Sequence, residues 1–158
     1  ILAKAVSKAF KKESLHTLSV FFNGSINQGV YTSINDRALV GVRSGNELED
    51  LPDYNIKSGI TYGFKKFKTA LQATFVGNQF SDAANTTVPF RGVFGPIPAY
   101  NVFDFSADYK ISKTISLATS VNNIFNTIYF TRRAIAYPGP GIIPALNRTW
   151  NLSLQLKF

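Results

Sequence analysis

The last eleven residues, Arg148 to Phe158 (RTWNLSLQLKF), alternate without a fault between apolar and polar side chains. Trp150, Leu152, Leu154, Leu156 and Phe158 fall on one face, and Thr149, Asn151, Ser153, Gln155 and Lys157 on the other. A period of two is that of a β-strand, whose successive side chains point to opposite sides. One face of such a strand belongs against an apolar medium and the other against water, and the fold has to supply both along its whole length.

The same period recurs upstream. Ala99 to Ile111 sets Phe103, Phe105, Ala107, Tyr109 and Ile111 against Asp104, Ser106, Asp108 and Lys110. Leu18, Val20, Phe22 and Ile26 oppose Thr17, Ser19, Asn23, Ser25 and Asn27, while Ile56, Ile60, Tyr62 and Phe64 oppose Lys57 and Thr61. Lys68 to Phe80 offers Leu71, Ala73 and Phe75 against Gln72, Thr74 and Asn78, and Thr114 to Phe125 offers Ile115, Leu117, Val121 and Phe125 against Ser116, Ser120 and Asn122. Ile1 to Phe10 is the least regular, with Leu2, Val6 and Phe10 four apart, so a short helix competes with a strand there. The pattern predicts an all-β chain of about seven antiparallel strands.

The connections between these segments alternate in length. Lys11 to Glu13, Lys65 to Phe67 and Ser112 to Lys113 are tight turns, whereas Asn35 to Asp53, Ser81 to Pro98 and Thr131 to Asn147 are long and rich in Gly, Pro and Asn. Short turns at one end and long loops at the other are the layout of a transmembrane β-barrel, with an apolar lipid face and a polar lumen face on every strand. No apolar run approaches the ~18 residues a membrane-spanning helix requires, so membrane character must come from strands. A bilayer offers backbone amides no water, which is why spanning strands pair into a closed ring and why aromatic rings collect at the two interfaces. Tyr62, Phe64, Tyr109 and Phe158 fall near the short-turn ends, and Tyr54, Tyr100, Phe125, Tyr129, Phe130 and Trp150 near the long-loop ends. Aromatics make up 14% of the chain and charged residues 16%, the latter well below the roughly 25% of soluble domains.

Several function classes fall away. The net charge of +8 raises nucleic acid as a partner, but the positive residues are scattered over turns and loops, which favours solvated charges facing anionic lipid headgroups over nucleic-acid binding. There is no cysteine, so neither a disulfide framework nor a thiolate metal site exists. His16 has no companion histidine, and Glu47, Glu49, Asp50 and Asp53 lack the spacing of a calcium loop, so no metal or cofactor is expected. Gly139 and Gly141 punctuate a turn without the strand-to-helix setting of a phosphate loop.

At the C-terminus the sequence resembles a known family. Val121 to Arg133 (VNNIFNTIYFTRR), Tyr137 to Pro144 (YPGPGIIP) and Asn147 to Phe158 (NRTWNLSLQLKF) resemble the last hairpin of TonB-dependent outer-membrane receptors. Asn122-Asn123-Ile124-Phe125 matches the family's Asn-Asn-apolar-Phe signature and Tyr129-Phe130 its aromatic pair; Leu51-Pro52 and Gly77 to Asp82 also fit its late-barrel pattern. The subgroup it is most similar to is the ferric-dicitrate-type receptors, in which a Pro-Gly-Pro-Gly segment often follows such an Arg pair. Asn147, where the family more often has Gly, and Ala145-Leu146, in place of a more polar loop, depart from that subgroup.

The resemblance implies a bacterial outer-membrane location and a 22-stranded barrel with a plugged lumen. Residues 1–158 would supply about seven of those strands as the C-terminal part of the wall, without plug or energy-coupling segment. It implies uptake of an iron chelate, driven through the TonB system by way of an N-terminal region. The expected ligand contacts are Arg132 and Arg133, whose guanidiniums suit the carboxylates of a ferric-citrate-like anion, followed by Arg91 and Arg43. It further implies that Trp150, Leu152, Leu154, Leu156 and Phe158 form the signal read by the barrel-assembly machinery, a strand capturable by β-augmentation. No catalytic residue is expected. Two other readings of the pattern stay open: a soluble β-sandwich binding module, and a small lipid-modifying outer-membrane barrel enzyme using His16.

Overall fold

A computed structural model describes residues 15–32, 41–89, 91–136 and 140–158. The expected first strand, Ile1 to Phe10, and the tight turn Lys11 to Glu13 lie outside them. Ten strands are present among the described residues: β1 (His16–Ile26), β2 (Tyr54–Phe64), β3 (Phe67–Val76), β4 (Gln79–Phe80), β5 (Pro96–Ile97), β6 (Tyr100–Lys110), β7 (Ile115–Asn122), β8 (Phe130–Ala134), β9 (Gly141–Pro144) and β10 (Thr149–Leu156). The six long ones, eight to eleven residues each, form one antiparallel sheet in the order β1-β2-β3-β6-β7-β10. β1, β2, β3 and β6, at ten or eleven residues, match the roughly nine to eleven that a tilted strand uses to cross a bilayer, and β7 and β10 fall one short. The two shortest strands, β4 and β5, pair with each other, as do β8 and β9.

The register aligns the apolar positions across the whole sheet. One row runs Val20, Ile60, Leu71, Phe105, Val121, Trp150, and the row toward the short turns runs Leu18, Tyr62, Thr69, Ala107, Thr119, Leu152. The opposite face carries rows such as Ser19, Thr61, Ala70, Ser106, Ser120, Asn151. Slipping any strand by one residue would exchange its faces, so the uniform patterning fixes the register.

The apolar face is uncovered. Leu152 is 76% exposed, Trp150 72%, Phe22 72% and Leu18 64%. The only buried apolar side chains among the described residues are Val76, Ile97 and Val102, all near the long-loop end. A sandwich would lay a second sheet over that face and form a core. A single layer with a continuous exposed apolar face is instead a lipid-facing wall. The sheet is open among the described residues, with β1 and β10 at its margins.

Six of the seven expected strands correspond to the six long ones, with adjustments at their ends. The expected strand Lys68 to Phe80 ends at Val76, although bonds in the same register run on past it: Gly77 N donates to Tyr54 O (2.9 Å) and Asp53 N to Asn78 O (3.1 Å). The remainder pairs as β4. The expected strand Thr114 to Phe125 stops at Asn122, because Asn123 adopts a φ of 52°. The loops Ser81 to Pro98 and Thr131 to Asn147 hold β5 and the β8–β9 hairpin, pieces too short for any period to reveal them. One aromatic placement is corrected: Tyr100 lies at the long-loop end but in the row with Val76 on the polar face, so it does not join the outer girdle.

Candidate functional site

The tight turns Lys65-Lys66 and Ile111 to Thr114 stand at one end of the sheet, and the connections 27–53, 77–99 and 123–148 at the other. The long connections do not hang free. Asn46 Nδ2 donates to Ala83 O (2.9 Å), while Asn85 receives Glu47 N at its Oδ1 (2.7 Å) and donates from Nδ2 to Glu47 O (2.9 Å). Asp50 N donates to Phe80 O (2.8 Å). Asn85 reads the backbone of residue 47 as another strand would, holding the first long loop against the second. Within the first loop, the Tyr31 hydroxyl donates to Glu49 Oε2 at 2.6 Å. That bond, then burial, then the nearby carboxylate charge, raises the Tyr31 pKa above its ordinary value.

The second loop is held to the third by Arg133. Its Nη1 donates to Gly92 O (2.8 Å), and its Nη2 and Nε to Pro96 O (2.8 and 3.3 Å). Its guanidinium also lies 5.0 Å from the Phe130 ring centroid. The rigid fork of donors lets one side chain grip two carbonyls of the second loop.

The third connection starts at a corner built by Asn123, which is only 3% exposed. Its Oδ1 accepts from Thr127 N (2.8 Å) and its Nδ2 donates to Thr127 O (2.9 Å). Its backbone N donates to Asp104 Oδ1 on β6 (2.8 Å). Asn126, with a φ of 55°, accepts from Arg148 N through Oδ1 (2.9 Å) and so draws the start of β10 to the corner. The Asn-Asn-apolar-Phe motif is thus a corner whose two positive-φ positions, Asn123 and Asn126, suit asparagine, which tolerates that region and bonds its own neighbours. Ile124 N extends the ladder to Phe103 O, and the Phe125 ring packs edge-on against Phe103, with centroids 5.2 Å apart.

The expected ligand arginines are distributed as follows. Arg132 and Arg133 sit on β8 opposite Ile143 and Ile142, and as neighbours on a strand they point to opposite sides. Arg132 is exposed; Arg133 is half-buried in its clamp, so the two do not converge as a pair. Arg91, exposed and with a φ of 50°, precedes the Gly92 that Arg133 holds, which brings its segment to the same hairpin. Arg43, also exposed, is on the first loop, which the Asn46, Asn85 and Asp50 bonds join to the second. The C-terminal residues Trp150, Leu152, Leu154 and Leu156 share the outer face of β10, and Phe158 follows it, fully exposed. Asn46 and Asn85, which stitch the first two loops, carried no sequence signal beyond the frequency of asparagine in turns, whereas Asn123 lies in the Asn-Asn-apolar-Phe signature. No group of three or more metal-ligating residues occurs among the described residues. What this loop surface can do chemically is present guanidinium donors, held on ordered backbone, to an anion arriving from the long-loop side.

A family model described as TonB dependent receptor-like, beta-barrel, matches residues 14–124. Among solved structures, the ferric citrate transporter FecA in its unliganded form matches with a TM-score of 0.62 at 29% identity, covering 68% of this chain and 17% of that one. The ferric yersiniabactin uptake receptor FyuA of Yersinia pestis matches at 0.71 and 17% identity, covering 89% and 21%. The ferric-catecholate import receptor Fiu of E. coli K12, closed form, matches at 0.69 and 19% identity, covering 89% and 19%. The chain spans about a fifth of the length of these structures.

Proposed function

The chain belongs to the TonB-dependent receptor-like β-barrel family, outer-membrane proteins of Gram-negative bacteria, and from that premise we propose that it is the C-terminal part of the barrel wall of a receptor for a ferric-citrate-like iron chelate. In this reading the six long strands are wall, and the stitched loops are part of the outward-facing binding surface. The family is one of receptors and transporters, and no bond-making step is assigned to the chain. The partners are the lipid around the outer face, the assembly machinery that reads Trp150 to Phe158, and the TonB system acting through a region outside these residues.

The observation that carries the ligand class is the arrangement of Arg132. Its neighbour Arg133 is spent on loop carbonyls, which leaves Arg132 exposed on an ordered hairpin, beside a segment that adds Arg91. Carboxylate-rich anions suit such donors, and each charge-assisted bond is worth about 1.5–3 kcal/mol. Support comes also from the likeness to the ferric citrate transporter at 29% identity, where the yersiniabactin and catecholate receptors stand at 17% and 19%.

The test is uptake of radiolabelled iron, offered as citrate, yersiniabactin-type or catecholate chelates, by cells whose only receptor is the intact protein. Citrate-dependent uptake that falls about tenfold or more in Arg132→Ala is the expected result. Uptake of another chelate, indifferent to Arg132, would replace the ligand class and leave the receptor reading standing.

A further inference from the structure

On the outer face, the row nearest the short turns is His16, Phe64, Phe67, Tyr109, with Tyr62 one row in. His16 stacks on Phe64, with centroids 4.4 Å apart, and its Nδ1 is 2.7 Å from the Tyr62 hydroxyl. This is an aromatic belt of the kind that settles at a headgroup level. Immediately beyond it stand the exposed turn lysines Lys65, Lys66 and Lys113. Lys65 Nζ lies 5.2 Å from the Phe64 ring centroid, which places that ammonium on the side of the lipid-facing rings. Lys66 Nζ donates to Ile111 O (2.9 Å), tying the two turns into one rim. Neither 62–68 nor 109–116 contains an Asp or Glu, and the nearest acid along the chain, Asp108, is on the opposite face of the sheet.

We propose that this rim is a docking surface for anionic phospholipid in the periplasmic leaflet, with Lys65, Lys66 and Lys113 holding the phosphate and Tyr62, Phe64 and Tyr109 flanking the upper acyl chain. The orientation rests on family membership, because short turns are periplasmic in such barrels. Lysines just outside an apolar span gain roughly fivefold in lipid association per residue when the lipid is anionic. Two grooves, of about 490 and 690 Å³, are lined by a second basic group, Lys68, Lys110 and Lys157, and by the turn lysines as well, Lys65 and Lys66 in the first and Lys66 and Lys113 in the second. Lys68, paired with Asp108, and Lys110 leave the sheet on its polar face, and with Lys157 they serve as the control.

The experiment reconstitutes the intact receptor in phosphatidylcholine vesicles containing spin-labelled phosphatidylglycerol or spin-labelled phosphatidylcholine, and measures the motionally restricted fraction of each. Phosphatidylglycerol should be preferred, the preference should fall at least fivefold in the triple variant K65Q/K66Q/K113Q, and it should persist in K68Q/K110Q/K157Q. If the rim triple variant does not fold, K113Q alone, which removes no hydrogen bond seen here, should lower the preference and high salt should mimic it. No preference in the unsubstituted receptor, or a preference lost with the lumen-side triple and kept by the rim variant, overturns the proposal. None of these outcomes depends on which chelate the receptor carries.

Discussion

Asn123 is the residue on which the third long connection depends. It is buried, takes a φ of 52°, and satisfies both backbone polar groups of Thr127 with one side chain. Alanine would leave those groups unpaired and keep the strained backbone, so Asn123→Ala should cost about 1–3 kcal/mol per orphaned group. Unfolding of the detergent-solubilised receptor by guanidinium would show it, with Asn123→Gly milder because glycine accepts the conformation. Tyr31 supplies a second residue-scale expectation. Its pKa is raised from 10.0, first by its bond to Glu49, so the tie is fully present below the ordinary phenol value and is lost as pH rises through the raised one. Ultraviolet titration against Tyr31→Phe should show that Glu49→Gln returns this ionisation toward 10.0; an unmoved ionisation would remove Glu49 as its cause. The sequence made the Asn122-Asn123 motif conspicuous, but its job as a corner needs partners on β6 and at Thr127, and sequence position does not reveal them.

A strand in this sheet answers to two solvents. Leu152 and Ser153 are neighbours on β10, one on each face. Leu152→Arg should destabilise by about 2–4 kcal/mol if that position lies near the bilayer midplane, and Ser153→Arg by far less. Folding yield into vesicles and heat-modifiable migration report the difference, and equal costs would mean that the outer face does not meet lipid. Phe21, like Tyr100, departs from the pattern as an aromatic on the polar face, here opposite Gly59. Its ring lies where a Gly59 side chain would go. Gly59→Val should therefore cost about 1–3 kcal/mol as overpacking, and Phe21→Ala should recover most of it in the double variant. The absence of a side chain at Gly59 is thus the room that Phe21 occupies.

Across the molecule, three loops far apart in sequence are held as one surface by Asn46, Asn85 and Arg133. Arg133→Lys keeps the charge but loses the fork, so limited proteolysis of the intact receptor should cut within 84–95 faster, while Arg132→Ala should leave that cleavage unchanged and lower chelate uptake. Equal cleavage in both would mean that the clamp does not order the loop. The sequence by itself determined the six wall strands, their two faces and the ends at which turns and loops lie, because a period of two is a local property imposed by the solvent on each side. It also marked the four arginines as the candidate donors. Only the tertiary structure decided that Arg133 is bound to the second loop while Arg132 faces out, that β4 pairs with β5 and β8 with β9, and that Asn85 mimics a strand edge. Those bonds join residues 37 to 41 positions apart through backbone carbonyls and amides, groups every residue carries, so no pattern of side chains announces them.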